Sequence, residues 1–396
     1  MKPVFMVLMF VSASLAGCLS SEDESTSQIE AIFDYEPDKN IRTDMEIDFD
    51  GGASLSANGG LTYKWDFDSD GSYDETGRTT TWSYSTAGNY DVTLTVSDGT
   101  DSSSQTRSLK VIDADAQEPY ADAGSYSPNS DCDGESASTG QYYLVYICEM
   151  DRSTSSKSIS ATTSVTLDAS NSEACEDDGQ PCDDYISEYN WDINLQRDED
   201  GDGDLENDAD LTGQTVEWKE LEPGEYKISL TVTNGAGLSA TDEVIVYVNY
   251  VGRWNDLSIG GNTSNSPIDI DFSFPSTQHL DSGNTIKRAA GELIYPKEDE
   301  DCTDVVFGDG NNCRAKIDLY GFNSTDEQVA NTSAIGVEQR TYGDCDENTD
   351  CVWLQFTGSY HFAESQWKDG EWTMTIRNEM VNDLEIESLT IRLLYK

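Results

Sequence analysis

Two histidines, His279 and His361, are all that 396 residues offer. A Ser-His-Asp or Cys-His set would need one of them, and neither stands in a nucleophile motif such as Gly-x-Ser-x-Gly. No Cys-x-x-Cys occurs, which together with the missing histidines argues against zinc. Phosphate-cradling glycine loops are absent as well. Positive charge is the second scarcity, with 23 Lys and Arg against 77 Asp and Glu and a formal charge of −54. Such a surface repels phosphate backbones and anionic headgroups, so nucleic acid is excluded as a partner. It keeps a chain soluble in salty water and attracts divalent cations. Long apolar runs are the third scarcity. The stretch from Val4 to Val11 is too short to span a bilayer as a helix. Against these absences stand 20 Tyr, 11 Phe and 8 Trp, enough for several small cores and too many for a chain disordered throughout.

The N-terminus, "MKPVFMVLMFVSASLAGC", has one lysine, a short apolar run and then Leu15-Ala16-Gly17-Cys18. Its form is that of a cleaved export signal. Leu-Ala-Gly-Cys resembles the lipobox of prokaryotic lipoproteins. The resemblance implies a signal peptide over residues 1–18, a lipid on Cys18, and a protein held on the outer face of the cell membrane. The competing reading is an ordinary signal with a chance cysteine. "LSSEDESTS", residues 19–27, is a polar tether. Without Cys18 eight cysteines remain, an even number in an exported chain. They fall as near neighbours, which favours four local disulfides: Cys132–Cys148, Cys175–Cys182, Cys302–Cys313 and Cys345–Cys351.

An internal repeat organises the first two thirds. "LTYKWDFDSDGSYDETG" pairs with "SEYNWDINLQRDEDGDG", and "TTWSYSTAGNYDVTLTVSDG" with "TVEWKELEPGEYKISLTVTNG". Trp and Tyr stand eight residues apart in both copies, Trp82 to Tyr90 and Trp218 to Tyr226. Each tyrosine opens a strand of period two that runs into a turn, Asp98-Gly99 or Asn234-Gly235, and a closing strand follows. Such hairpins predict antiparallel β-sandwiches of roughly 80 to 100 residues, with Trp65, Trp82, Trp191 and Trp218 in their cores.

This pattern resembles the PKD domain, an immunoglobulin-like sandwich of prokaryotic surface proteins. The motifs are "FDGGAS" (49–54), "YKWDF" (63–67) and "GNYDVTLTV" (88–96) in the first copy. In the second they are "LDASNS" (167–172), "YNWDI" (189–193) and "GEYKISLTV" (224–232). Both copies depart from the family's Trp-Asp-Phe-Gly-Asp-Gly turn and carry aspartate-rich loops instead. The resemblance implies one PKD-like domain over 28–113 and another over 117–250, the second enlarged by disulfide-stapled insertions.

Beyond Trp254 the repeat stops, and "SPIDIDFSFP", "RAAGELIYP", "RAKIDLYGF" and "DCVWLQFTGSY" read as strands of a third β domain over 253–396. Its closing strands, with Gly370, Trp372, Met374 and Ile376, resemble those of the P domain, a jelly-roll module of subtilisin-like proteases. Leu389 stands where that family commonly has Trp. No protease domain precedes it, so no proteolytic activity is expected. The fold class read from the whole is all-β: tandem immunoglobulin-like sandwiches, then a jelly-roll-like sandwich.

Asp66, Asp68, Asp70 and Gly71 match the start of an EF-hand-type calcium loop, with Asp74 at its ninth position. Gly77 occupies the twelfth, where a bidentate glutamate belongs. Asp198, Asp200, Asp202 and Asp204 repeat the theme. Clustered carboxylates repel one another unless a cation joins them, so structural calcium is one reading and a solvated acidic hairpin the other. A sensor role is not expected without a helix pair to open.

Trp353, Trp367 and Trp372 are candidates for a sugar-stacking face, with packing as the alternative. Three sequons mark Asn262, Asn323 and Asn331 as glycosylation candidates. The leading expectation is a non-enzymatic, lipid-anchored adhesion or binding protein, with a glycan or envelope protein as ligand. A hydrolase or its accessory subunit, and a purely structural envelope component, are the alternatives. Acidity and sequons together point to a marine or halophilic archaeon, with a bacterium as the other source.

Overall fold

The computed structural model describes residues 29–176, 181–195, 197, 208–262, 266–276, 286–298, 314–357 and 370–396. Cys18, the Asp198–Asp204 loop, the Cys302–Cys313 pair, both histidines and Trp367 lie outside them. The chain divides into two compact units after Ala116.

The first unit is a β-sandwich. One sheet has strands Asp34–Glu36, Ile47–Asp50 and Thr79–Trp82, and the other Glu75–Thr76, Thr62–Asp66, Gly88–Ser97 and Ser102–Val111. A short pair, Ile29–Glu30 with Leu55–Ser56, completes it. Alternation along Gly88–Ser97 turns Val92, Leu94 and Val96 inward and leaves threonines outside. These residues meet a cluster of aromatic rings. Trp65 and Phe67 are fully buried, and Phe33 stands edge-on to Trp65 with ring centroids 5.1 Å apart. The turn after this strand is chemically specified. Asp98 Oδ1 accepts the N–H groups of Thr100 and Asp101, and Gly99 takes the left-handed conformation at φ 93°.

The second unit, from Gln117 onward, repeats the sandwich and extends it. Thr163–Asp168 pairs with Thr215–Leu221 and faces Ile186–Asp192 and Gly224–Asn234, burying Val165, Leu167, Trp191 and Leu230 between them. The repeat holds down to individual bonds. Trp65 Nε1 donates to Gly77 O at 2.9 Å and Trp191 Nε1 to Gly213 O at 3.0 Å. Tyr90 donates its hydroxyl to Thr86 O and Tyr226 to Glu222 O, both at 2.9 Å, a tyrosine corner four residues back in each copy.

Ser239–Ile259 is one strand of 21 residues. Gly224–Asn234 pairs with its first half and Leu384–Leu394 with its second, while Tyr143–Arg152 lies parallel to its middle. Arg288–Pro296 and Thr349–Thr357 continue the same eight-stranded sheet. The division expected between residues 250 and 253 therefore falls inside a strand, and the repeat and the terminal region form one unit rather than two. The reason is hydrophobic continuity: Val244, Val246, Val248, Tyr250, Trp254, Leu257 and Ile259 are all buried, and pairing with Leu384–Leu394 runs on past Asp256, where φ is 53°.

A second sheet of Ile268–Ser276, Gly370–Asn378, Ile317–Phe322 and Gln328–Asn331 covers one face of this extension. Contact between the layers is close where glycine permits it. A Cβ on Gly291 would clash with Met374 Sδ, and one on Gly321 with Phe356 Cζ. Three of the expected disulfides are formed: Cys132–Cys148, Cys175–Cys182 and Cys345–Cys351, with Cα separations of 5.5, 5.8 and 5.6 Å.

Candidate functional site

The acidic hairpin of the first unit joins Thr62–Asp66 to Glu75–Thr76, and Asp74 N–H closes it on Trp65 O at 2.8 Å. Within it the backbone doubles back, with Ser69 at φ 57° and Gly71 at φ 84°. Asp66 ends its strand with the side chain turned into the loop, and is only 7% exposed. Its Oδ2 accepts Gly71 N–H at 3.1 Å, while Oδ1 is buried with no hydrogen-bond partner. Asp74 Oδ2 accepts Phe67 N–H at 2.7 Å, and Asp68 Oδ1 accepts Asp70 N–H at 3.2 Å.

One carboxylate oxygen each from Asp66, Asp68 and Asp74 lies within 4.8 Å of the others. Asp70, expected with them, is not in this group; its carboxylate turns outward to accept Ser72 N–H at 2.7 Å. Among the described residues no lysine or arginine pairs with the three. Three carboxylates converging with one oxygen out of water's reach would be stabilised by a cation. The donor set, all hard oxygen, fits calcium, which takes six to eight such ligands from carboxylates, carbonyls and water.

The second copy builds a related corner from residues that the spacing of acids alone did not single out. Asp192 follows Trp191 as Asp66 follows Trp65, and it is 1% exposed with Oδ1 accepting Asn194 N–H at 2.7 Å. Asp210 Oδ2 accepts Ile193 N–H at 2.9 Å, as Asp74 does for Phe67. The shared Trp-Asp dipeptide of the repeat was the signal for Asp192. For Asp210 there was none, because the loop lengths differ.

The tryptophans expected on a sugar-binding face separate. Trp372 is fully buried, edge-on to Phe356 at 5.7 Å, and cannot meet a ligand. Trp353 is half-buried, its Nε1 donating to Gln355 Oε1 at 3.2 Å. Beside it stands Tyr342, 72% exposed, with ring centroids 6.0 Å apart and planes at 80°. Tyr342 lies in a loop with no strand alternation, so the sequence carried no sign of it.

The sequons divide as well. Asn323 is 3% exposed; its Oδ1 accepts Thr325 N–H and Glu327 N–H, and its Nδ2 donates to Glu327 Oε2 at 3.2 Å. That amide has no room for a glycan in the folded chain, which corrects the expectation at this position. Asn331 is exposed and accepts the Ser333 hydroxyl at 2.6 Å. Asn262 is half-buried, its N–H donating to Met380 O at 2.7 Å.

No curated protein matches the chain. Among solved structures it is similar to a carbohydrate-binding module of the β-sandwich superfamily, at 12% identity, TM-score 0.20 and 92% coverage of each chain. It is similar also to three N-terminal domains of the outer capsid protein Hoc of bacteriophage RB49, at 14% identity and TM-score 0.26, covering 91% of this chain and 97% of that one. A third is the Bacteroides ovatus protein SGBP-B in complex with a mixed-linkage heptasaccharide, at 10% identity and TM-score 0.16, covering 89% and 93%. Scores this low carry nothing about ligand or activity, and the fold stands on the strand pairing itself. Residues 31–112, the first sandwich almost in full, match the PKD domain family.

Proposed function

We propose that the protein is an exported, lipid-anchored and non-catalytic binding protein of the cell surface, with a glycan as its ligand. The first unit is a spacer stiffened by calcium, and the larger unit presents the binding face. The observation that carries the reading is the exposed ring of Tyr342 beside the half-buried Trp353 on the larger unit. A water-facing aromatic pair gives little to folding and is suited to stacking against the apolar face of a sugar. The PKD match over residues 31–112 and the export signal with its Leu-Ala-Gly-Cys support the surface location.

The calcium part rests on Asp66, Asp68 and Asp74. Bound there, the ion supplies a positive charge that joins the two ends of the hairpin. The chain's own contribution is to hold three carboxylates ready, with Phe67 and Gly71 N–H groups orienting two of them. Thermal melting in millimolar calcium and in EDTA tests this. Calcium at a hundredfold excess over Kd adds about 2.7 kcal/mol, which raises the melting temperature of the first unit by several degrees. Asp66→Asn abolishes the calcium shift, and in EDTA it leaves melting unchanged or higher because an uncompensated buried charge is gone. Superimposable curves with calcium and EDTA would remove calcium from the account.

A further inference from the structure

The face of the eight-stranded sheet that the second sheet does not cover holds a groove of about 620 Å³. Its floor is made by residues that the strand register sets side by side: Val251 opposite Arg392, and Glu292 opposite Trp353. Two loops wall it, one from Asp131 to Ser138 and one from Tyr342 to Asp344. A disulfide ties each to the sheet, Cys132–Cys148 to the strand Tyr143–Arg152 and Cys345–Cys351 to the strand Thr349–Thr357. The walls are thus held in place before any ligand arrives, which lowers the entropy that binding must overcome.

The charges at the centre of the floor pair with one another, while Asp131, Glu135, Asp344, Arg288 and Lys396 also line the groove. Arg392 donates to Asp133 Oδ2 at 3.0 Å and to Glu292 Oε2 at 3.4 Å, and its guanidinium lies 5.5 Å from the Trp353 ring. Arg253 reaches the other oxygen of Asp133 at 3.6 Å. Glu292, 3% exposed, also accepts Asp344 N–H at 2.8 Å. Carboxylates and guanidinium fixed in this way keep hydrogen-bonding capacity at their edges and offer no unpaired charge at the centre. The surrounding chain, at −54, repels anions. Beside the centre stand two aromatic rings nearly at right angles, Tyr342 and Trp353.

From these observations we infer that the groove is a binding site for a neutral, hydroxyl-rich oligosaccharide. Tyr342 and Trp353 stack on sugar rings, and the Asp133–Arg392–Glu292 network hydrogen-bonds their hydroxyls. The volume lies in the range of small-ligand sites. This rests on the glycan-binding reading above and deepens it by naming the site and the class of sugar.

Affinity electrophoresis of the full chain tests it, with neutral polysaccharides (β-glucan, galactomannan) and uronate polymers (alginate, pectate) in the gel, at low and at about 2 M salt. Retardation by a neutral polymer that persists in high salt is expected. Tyr342→Ala and Trp353→Ala should each weaken it about tenfold, equivalent to about 1.4 kcal/mol, with melting temperature as the control for folding. Tyr342 is exposed enough that its variant folds even where the Trp353 variant does not. Retardation by uronate polymers alone, lost in high salt, would overturn the neutral-sugar inference and leave the glycan reading standing. Neutral binding unaffected by either substitution would overturn the groove as its site. No retardation by any polymer would remove both readings.

Discussion

Asp66 and Tyr226 show how single residues of this chain divide between site and scaffold. Both recur in the repeat, as Asp66 with Asp192 and Tyr226 with Tyr90, and both are placed by one local bond. For Asp66 that bond leaves an oxygen over, which is why the residue is a candidate metal ligand. For Tyr226 it uses the hydroxyl fully, and burial, with the Glu222 charge as a lesser cause, pushes its pKa up to about 12. The neutral phenol is the form that the fold favours. Its contribution is therefore complete below the ordinary tyrosine value near 10 and is lost as pH rises through about 12. Tyr84, Tyr250 and Tyr395 are shifted the same way by burial. Melting temperature should hold steady up to about pH 10 and fall between about 10 and 12. Tyr226→Phe should cost about 1 kcal/mol at neutral pH and flatten part of that alkaline fall. An alkaline slope identical in the variant would show that Tyr226 does not titrate with unfolding.

At the scale of elements, the long strand Ser239–Ile259 and the two facing glycines do most to shape the larger unit. The strand was legible as two separate segments, "TDEVIVYV" and the start of a third domain, because a change of pattern at Trp254 reads like a boundary. It is continuous because each half finds its own partner, Gly224–Asn234 for one and Leu384–Leu394 for the other. The first is its hairpin neighbour across the Asn234-Gly235 turn, but the second lies far along the chain, and no local signal announces it. Gly321 lies within a buried strand, where glycine is disfavoured, and the reason is the Phe356 ring packed against it. Gly321→Ala should destabilise the chain by about 1 to 3 kcal/mol through overpacking, measured by denaturant unfolding. A change below a few tenths would mean that the two sheets can part without loss. The stapled loops are elements of a different kind. Near-neighbour cysteines made them visible in the sequence, whereas their position on either side of one groove was not.

Charge and anchorage belong to the whole molecule. A chain of 396 residues at −54 is repelled by anionic surfaces, so electrostatics would not hold it to a membrane, and the proposed attachment is the lipid on Cys18. Cys18→Ser should move the protein from the membrane fraction to the soluble one on fractionation. Unchanged membrane association would count against the lipid. Period-two alternation, Gly and Asp at turns, and the repeated Trp-Asp and Gly-x-Tyr motifs determined by themselves that this protein is a set of β-sandwiches, because each of those signals acts within a few residues. They placed Trp65 and Trp191 inside and brought Asp66, Asp68 and Asp74 to one loop. Only the tertiary structure decided that residues 117–396 are one unit, that Trp372 is core while Tyr342 is surface, and that Arg392, Glu292 and Trp353 share a floor. Strand alternation says which residues turn outward, but which outward residues become neighbours depends on the register between strands a hundred residues apart, and that is settled by packing of the two sheets against each other.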